Sequence, residues 1–412
     1  MIKANLKNIS YQTSAQIIPR ALMFVFTFYI AGVLGSEEYG KYDFALSFGY
    51  LIGVFYELGG NIILTKHVAR GLYSSFAYSL KFRLASIIIA IVVTFAVLNL
   101  FGLYSNNITN ILYALIGIAF SSLMNLYFAF FRGISKMSYE AIVLIIQKVI
   151  FIASAFALIM INKTASNVLM SFCLSMLIAW MIILLIFNKK KHNFDFTNDE
   201  KKIQFRDYIK DVMSLALVEV FSIIYFRVTQ IILEAHQGFD AVGVYGASYK
   251  FVEVFTNIPA ILMIVLFPNF ARLSVENMPE FKTQFKKVLL LLCSLGAIAV
   301  LICWFFGEMF FSLLGSDYAD SYIVLRYMTL ALFIIYPNYL LSQSLIALDK
   351  NLKYAFILSL VLIFNVALGI ILVPQYSVYG SALSVGICEF IIFVLSLIMI
   401  NKEFKSRLAK QR

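Results

Sequence analysis

The sequence GSEEYGKYDFA occupies residues 35–45, and GFDAVGVYGAS occupies residues 238–248. Both fit the pattern Gly-x4-Gly-x-Tyr-x2-small, and the second copy begins 203 residues after the first. Each copy follows one long apolar run and opens the next. Glycine tolerates a positive φ where a helix ends, and tyrosine is enriched at membrane interfaces. The repeat therefore predicts a tight external turn between two helices in each half of a duplicated chain.

The composition of the whole chain agrees with a membrane location. Its 412 residues are 62% hydrophobic and only 13% charged, and the mean hydropathy is +0.88. A soluble domain is about half apolar and about a quarter charged, so these values exclude an ordinary soluble enzyme. The four cysteines and three histidines are scattered without metal-ligand spacing, which predicts neither a zinc-type cluster nor a fold that depends on disulfides.

Twelve apolar runs are each long enough to cross a membrane as a helix, which takes ~20 residues. The first run follows Lys3 and Lys7 and is too long for a cleaved signal peptide, so we expect it to be retained. The predicted spans are 12–34, 42–65, 82–101, 109–131, 140–161, 166–187, 211–234, 242–268, 287–306, 322–347, 354–373 and 379–400.

The basic residues predict the orientation of these spans. Of the 33 Lys and Arg residues, 26 fall in segments on the side of the amino terminus, whereas the opposite side holds only Lys41 and Lys163. Short cytoplasmic loops carry an excess of basic residues, so we expect both termini to be cytoplasmic. The net charge of +11 is spread over loops beside the membrane. This distribution favours contact with anionic lipids and argues against a nucleic-acid partner.

The longest polar interruption, residues 188–210, divides the chain into two halves. We predict an N-terminal lobe at 1–192 with six helices, a cytoplasmic linker at 193–210, and a C-terminal lobe at 211–412 with six helices and a basic tail. The fold class is thus an all-α integral membrane protein of 12 transmembrane helices. A six-helix offset preserves orientation, so the lobes should be related by a pseudo-twofold axis along the membrane normal, with a central cavity between them.

Several further motifs occur in a fixed order along the chain: Ile9-Ser-Tyr-Gln-Thr13, the two glycine–tyrosine turns, Pro268-Asn-Phe-Ala-Arg-Leu-Ser274 and Tyr379-Gly380-Ser-Ala382. Together they resemble the polysaccharide-export, or Wzx-type O-antigen flippase, family of the multidrug/oligosaccharidyl-lipid/polysaccharide exporter superfamily. The resemblance implies alternating access and translocation of an undecaprenyl-pyrophosphate-linked oligosaccharide across the bacterial inner membrane. It implies as partners this lipid-linked oligosaccharide, membrane lipids, polysaccharide polymerase machinery and a coupling ion, H⁺ or Na⁺, with no cofactor.

Ionisable residues inside the predicted spans are candidates for the site, because a charge at a helix centre costs ~2.5–3.5 kcal/mol on insertion scales. Arginine suits a pyrophosphate because its charge is permanent and its fork binds two oxygens. For Lys250 and Glu253, the three-residue spacing also fits a purely structural ion pair. For Lys148 and Arg326, the alternative is a side chain that extends to the membrane interface. The candidate substrate-binding residues are Arg20, Arg227, Lys250, Lys148, Arg326, Gln16, Asn125 and Asn257.

Four carboxylates within the spans form a second group of candidates. A carboxylate removed from water can bind and release a proton during the transport cycle. We therefore expect coupling or charge balance from Glu219, Glu57, Glu253 and Glu389. Glu219 is preferred because it shares a predicted helix with Arg227, eight residues away.

Three alternative functions stay open from the sequence. A multidrug exporter or a peptidoglycan-precursor lipid exporter would belong to the same superfamily. A multispanning polysaccharide polymerase or glycosyltransferase would be an enzyme, but the sequence offers no Asp-x-Asp, His-Glu-x-x-His or Gly-x-Ser-x-Gly motif. We therefore predict a transporter rather than an enzyme.

Overall fold

A computed structural model describes the backbone of residues 2–191, 205–318 and 320–410. Side chains are described within residues 22–407, except at 105, 192–205, 207, 210–211, 214–215, 217–219, 226, 264, 268 and 319. Within these ranges the chain is helical and contains no β-strand. Residues 193–204 of the predicted linker 193–210 lie outside the described backbone.

Ten α-helices and two short 3-10 turns make up the described chain. The helices are α1 (Ile2–Glu57), α2 (Gly60–Ala69), α3 (Ser75–Leu100), α4 (Ile108–Gly133), α5 (Ser138–Ile161), α6 (Ala165–Lys190), α7 (Phe205–Glu276), α8 (Met278–Ser312), α9 (Ser321–Ala347) and α10 (Asn351–Lys410). The 3-10 turns, Ser105–Asn107 and Ser316–Tyr318, precede α4 and α9.

Three of the helices are interrupted by a single residue with a positive φ. The interruptions are Gly35 in α1 (φ 76°), Gly238 in α7 (φ 79°) and Ser377 in α10 (φ 51°). Each lies between two predicted spans. The positive φ that the repeat predicts at its first glycine is therefore confirmed in both copies.

Nine helical stretches among the described residues are long and apolar enough to cross a membrane. Three of them contain 48, 48 and 57 residues, namely Leu22–Ala69, Val220–Phe267 and Asn351–Arg407. On α3, Ile88, Ile89 and Val92 are 61%, 62% and 60% exposed. Such a face is unfavourable in water and is suited to lipid chains. The helices have the length and composition of a multi-pass membrane protein.

The chain divides into two compact units. The first unit contains Met1–Leu34 and Lys41–Ile223, and the second contains Gly35–Gly40 and Ile224–Arg412. The division falls inside α7 because the first turns of this helix pack in the first unit, where Tyr208 and Val212 form a buried cluster with Ile63 of α2. The short segment Gly35–Gly40 packs with the second unit.

Large aromatic side chains build the interior of the first unit. The ring of Phe76 on α3 lies 5.4 Å from that of Tyr127 and 5.6 Å from that of Phe130, both on α4, and 4.7 Å from that of Phe187 on α6. Aromatic rings at such distances stabilise packing beyond their buried area. These contacts join α3 to α4 and to α6 within the first unit.

Candidate functional site

A buried polar cluster in the first unit surrounds Arg83 of α3, which is 1% exposed. Its guanidinium donates from Nη1 to the Ser122 carbonyl oxygen (2.5 Å) and from Nη2 to Oδ1 of Asn61 (2.8 Å). Nη1 lies 3.8 Å from Oε1 of Glu57. The Glu57 carboxylate also accepts from Asn61 (2.5 Å) and from Asn125 (3.4 Å). The cluster thus holds one buried cation and one anion with hydrogen-bonding partners for both.

The break between α1 and α2 provides the space that this cluster occupies. Leu58 (φ 46°) and Gly59 (φ 80°) are left-handed, so α1 ends at Glu57 and α2 begins at Gly60. A Cβ on Gly60 would lie 3.3 Å from the Tyr208 hydroxyl and 3.7 Å from Nη2 of Arg83. The first of these distances is tight for a Cβ, so glycine leaves room beside the guanidinium.

The sequence interpretation did not select Arg83 as a site residue, because Arg83 lies at the very start of the predicted span 82–101 and is counted among the basic residues on the side of the amino terminus. The structure places it in the third turn of α3 and in the interior. Ser75, Ser79 and Arg83 are all buried, and their four-residue spacing puts them on one face of the helix. This polar stripe was the available signal. The Tyr208 hydroxyl donates to Ser79 (2.8 Å), and burial raises the pKa of Tyr208, which precedes the candidate membrane span of α7.

A second polar cluster lies in the second unit around Glu389, which is 5% exposed. The Tyr225 hydroxyl donates to its Oε1 (2.9 Å), and the Asn338 amide donates to its Oε2 (2.7 Å). The Asn365 amide donates to the Tyr225 carbonyl oxygen (3.3 Å). These residues come from α7, α9 and both segments of α10. Two neutral donors therefore hold a buried carboxylate, a residue that the sequence singled out without identifying its partners.

The predicted pair on α7 is formed in the second unit. Nζ of Lys250 lies 2.7 Å from Oε2 of Glu253, and their side chains are 25% and 45% exposed. Asn257 donates to the Glu253 carbonyl oxygen (2.8 Å). Arg227, also on α7, is half-buried. This part of α7 thus carries both cations and an anion.

Of the other predicted residues, two have described side chains and three do not. Lys148 is half-buried on α5. Arg326 is 44% exposed, lies 4.0 Å from Glu308 and stacks 5.2 Å from the Tyr322 ring centroid. The side chains of Gln16, Arg20 and Glu219 fall outside the described part of the structure.

No group of three or more His, Cys, Asp or Glu side chains that could hold a metal ion occurs among the described residues. The polar clusters therefore consist of single carboxylates with amide, hydroxyl and cationic partners. Such groups can bind protons, anions and sugar hydroxyls through hydrogen bonds.

Residues 5–274 match the family described as polysaccharide biosynthesis protein. The chain belongs to this family. The chain is similar in sequence to the capsular polysaccharide biosynthesis protein CapF of Staphylococcus aureus. It is 22% identical over 393 residues, which cover 94% of this chain and 97% of CapF.

Members of the exporter superfamily share the fold of this polysaccharide biosynthesis protein. An inward-facing multidrug resistance MATE family transporter of the MOP superfamily superimposes with a TM-score of 0.78 and 14% identity, over 97% of this chain and 98% of that one. The lipid II flippase MurJ, in an inward closed conformation, gives a TM-score of 0.73 and 16% identity, over 96% of this chain and 89% of that one. The expected resemblance to a polysaccharide flippase family is thus confirmed at the level of family and fold.

Proposed function

We propose that this protein is a flippase that carries an undecaprenyl-pyrophosphate-linked oligosaccharide across the bacterial inner membrane by alternating access. The observation that carries the proposal is the agreement, over nearly the whole length of both chains, with a capsular polysaccharide biosynthesis protein. The fold shared with a lipid II flippase supports a lipid-linked cargo. The cargo is a repeat unit of a surface polysaccharide, such as a capsule or an O-antigen, which polymerase machinery would then extend.

The proposed topology has twelve membrane crossings, with six in each lobe and both termini in the cytoplasm. The lengths of α1 with α2, of α7 and of α10 support it. Each of these stretches holds 48 or more residues, whereas one crossing takes ~20. A one-residue break at Gly35, Gly238 or Ser377 is where the chain would turn back. The central cavity would lie between lobes corresponding to 1–192 and 211–412.

The proposed substrate site uses permanent positive charge to bind the pyrophosphate. Arg20 and Arg227 occupy corresponding predicted spans of the two halves, and Lys250 lies on the same helix as Arg227. A phosphorylated head cannot cross a low-dielectric region unpaired, and arginine offers two parallel hydrogen bonds to it. Amides such as Gln16, Asn125 and Asn257 would bind sugar hydroxyls. We also assign Lys148 and Arg326 to this proposed site, where they would contact the periphery of the head group.

Coupling to H⁺ or Na⁺ is proposed to use a buried carboxylate. Glu389 is buried and is held by two neutral donors, which leaves it able to gain and lose a cation without breaking an ion pair. Glu219 is a second candidate because of its position two turns from Arg227. Glu57 and Glu253 already face Arg83 and Lys250, so they are proposed to balance charge.

The experiment is a flipping assay in vesicles that contain a fluorescent undecaprenyl-pyrophosphate oligosaccharide. Wild type should move the lipid across the bilayer, and the double variant Arg20→Ala/Arg227→Ala should lose at least tenfold in rate. Arg272→Ala, which removes an exposed arginine paired with Glu276, is the matched control and should flip normally. Equal rates in wild type and the double variant would refute the cationic site.

The same assay separates the proposed function from its rivals. A hydrophobic cationic dye tests multidrug export, and a peptidoglycan-precursor lipid tests the other exporter class. Transport of either cargo in preference to the lipid-linked oligosaccharide would replace the proposed substrate. Growth of the glycan chain during the assay would identify an enzyme instead of a transporter.

A further inference from the structure

A groove between the two segments of α10 lies outside every polar cluster described above. It has a volume of about 520 Å³ and is lined by residues from both ends of the helix, including Phe356, Leu360, Leu395 and Ile398. Because residues near the start and the end of α10 share one groove, the segments on either side of Ser377 run side by side in opposite directions.

The walls of the groove are apolar and open to the surroundings of the protein. Phe356 is 68% exposed and Ile398 is 49% exposed. In a chain that spans a membrane, such exposed apolar side chains face lipid. The groove can therefore accept a hydrocarbon chain that lies lengthwise between the two helical segments.

One end of the groove is positively charged. Lys353 from the first segment and Lys402 from the second both line it, and both are exposed. The nearby carboxylate of Glu403 is already held by Lys350 (3.1 Å) and Arg407 (3.7 Å). Among the described side chains no carboxylate lies within ion-pair distance of Lys353 or Lys402. The two ammonium groups are thus available to an anion that the described side chains do not supply.

We propose that this groove binds one anionic glycerophospholipid, with its phosphate between Lys353 and Lys402 and an acyl chain along Phe356 and Leu395. Charge complementarity selects this occupant, because an amphiphile with one negative head and an apolar chain matches a cationic end and an apolar groove. The proposal uses the predicted topology, which places both lysines at the cytoplasmic leaflet. That leaflet carries a negative surface charge, and basic pockets between helices there bind anionic head groups.

The bound lipid would connect the two segments of α10 at the ends that lie farthest from the break at Ser377. Near these ends, Arg407 of the second segment donates to the Leu348 carbonyl oxygen (2.8 Å) and to the Ser274 carbonyl oxygen (3.2 Å). Through this site the composition of the membrane would act on the second unit.

The first test uses the full-length wild-type protein in mixed phosphatidylcholine and phosphatidylglycerol vesicles. Native mass spectrometry after gentle extraction should show one retained phosphatidylglycerol at higher occupancy than phosphatidylcholine. This measurement needs no mutation. Equal retention of the two lipids by wild type would overturn the proposal.

The second test replaces both lysines. Lys353→Gln/Lys402→Gln should lower phosphatidylglycerol retention at least fivefold, while Lys353→Arg/Lys402→Arg should keep it. The matched control Lys286→Gln/Lys287→Gln removes two exposed lysines from α8 and should retain the lipid. Equal loss in the control would show only a general charge effect and would overturn the site.

Two other occupants are separate outcomes that also overturn it. Recovery of undecaprenyl phosphate or its sugar-linked form as the retained lipid would make the groove part of the substrate path. A dimer that dissociates in Leu395→Trp but binds phosphatidylglycerol no better than phosphatidylcholine would make the groove an interface between copies.

Discussion

Gly40 and Gly243, the second glycines of the two repeat copies, lie against each other within the second unit. A Cβ on Gly40 would be 1.7 Å from the Phe239 carbonyl oxygen and 3.0 Å from the Gly243 nitrogen. A Cβ on Gly243 would be 2.0 Å from the Ser36 carbonyl oxygen. Neither glycine has a positive φ. The repeat therefore uses glycine in two ways: its first glycine permits a left-handed residue, and its second permits contact between backbones.

Gly243→Ala is expected to destabilise the protein by about 1–3 kcal/mol, because the new methyl group overlaps a backbone oxygen that cannot move alone. Gly40→Ala should behave alike. Thermal unfolding of the purified variants in detergent measures the effect. The matched control is Gly386→Ala, whose Cβ would find its nearest neighbour at 3.9 Å. As a helical glycine it should be neutral or stabilising, and equal losses at positions 243 and 386 would contradict the role of backbone contact.

Arg83→Met is expected to cost about 3–5 kcal/mol, because it leaves the partly buried Glu57 carboxylate without its cation. Adding Glu57→Gln should restore part of the loss, since the remaining amides then face a neutral partner. A double-mutant cycle on unfolding stability measures this coupling. Arg272→Met, which breaks an exposed pair with Glu276, should change stability by less than about 0.5 kcal/mol. Additive effects of Arg83→Met and Glu57→Gln would show that the two side chains do not interact.

Glu389→Gln is expected to abolish ion-driven accumulation while leaving downhill flipping measurable. The glutamine keeps the size of the side chain but has one acceptor oxygen where Tyr225 and Asn338 need two, so unfolding stability should also fall by about 1–3 kcal/mol. Transport is measured with and without a gradient of pH or Na⁺. Glu308→Gln, at a carboxylate that is 67% exposed, is the control. Gradient-dependent transport that survives in Glu389→Gln would assign coupling to another residue, with Glu219 next in order.

Lys250→Met separates substrate binding from charge balance. Its ion pair with Glu253 is partly exposed, so the loss of stability should stay below about 1 kcal/mol. If Lys250 binds the pyrophosphate, the flipping rate should fall at least tenfold despite this small change. A matched variant is Lys350→Met, which removes a partly exposed partner of Glu403 instead. Normal flipping by Lys250→Met would leave the lysine a structural counter-ion only.

The sequence predicted much of the local structure. The positive φ at Gly35 and Gly238 followed from the spacing of the repeat, and the Lys250–Glu253 pair followed from a three-residue step on one helix. Both depend on residues close together in the chain. From the sequence, Gly40 and Gly243 are predicted only as parts of the two turns, because their contact joins residues 203 positions apart and no local pattern encodes it.

The residues around the buried charges could be predicted only in part. Glu57, Asn125 and Glu389 were singled out because a charged or amide group in an apolar run stands out in composition. Arg83 was not singled out because it lies at the very start of the predicted span 82–101, beside other basic residues. Its buried position depends on the packing of α3 against α2 and α4.

The sequence by itself determined that the protein is helical and apolar and that two glycines, Gly35 and Gly238, end helices with a positive φ, because these properties follow from composition and from local spacing. Tertiary structure decided which polar groups meet. Tyr225 and Glu389 are 164 residues apart, yet they share a hydrogen bond. Such partners depend on how helices pack, since each buried polar group must find its hydrogen bonds on whichever helices surround it.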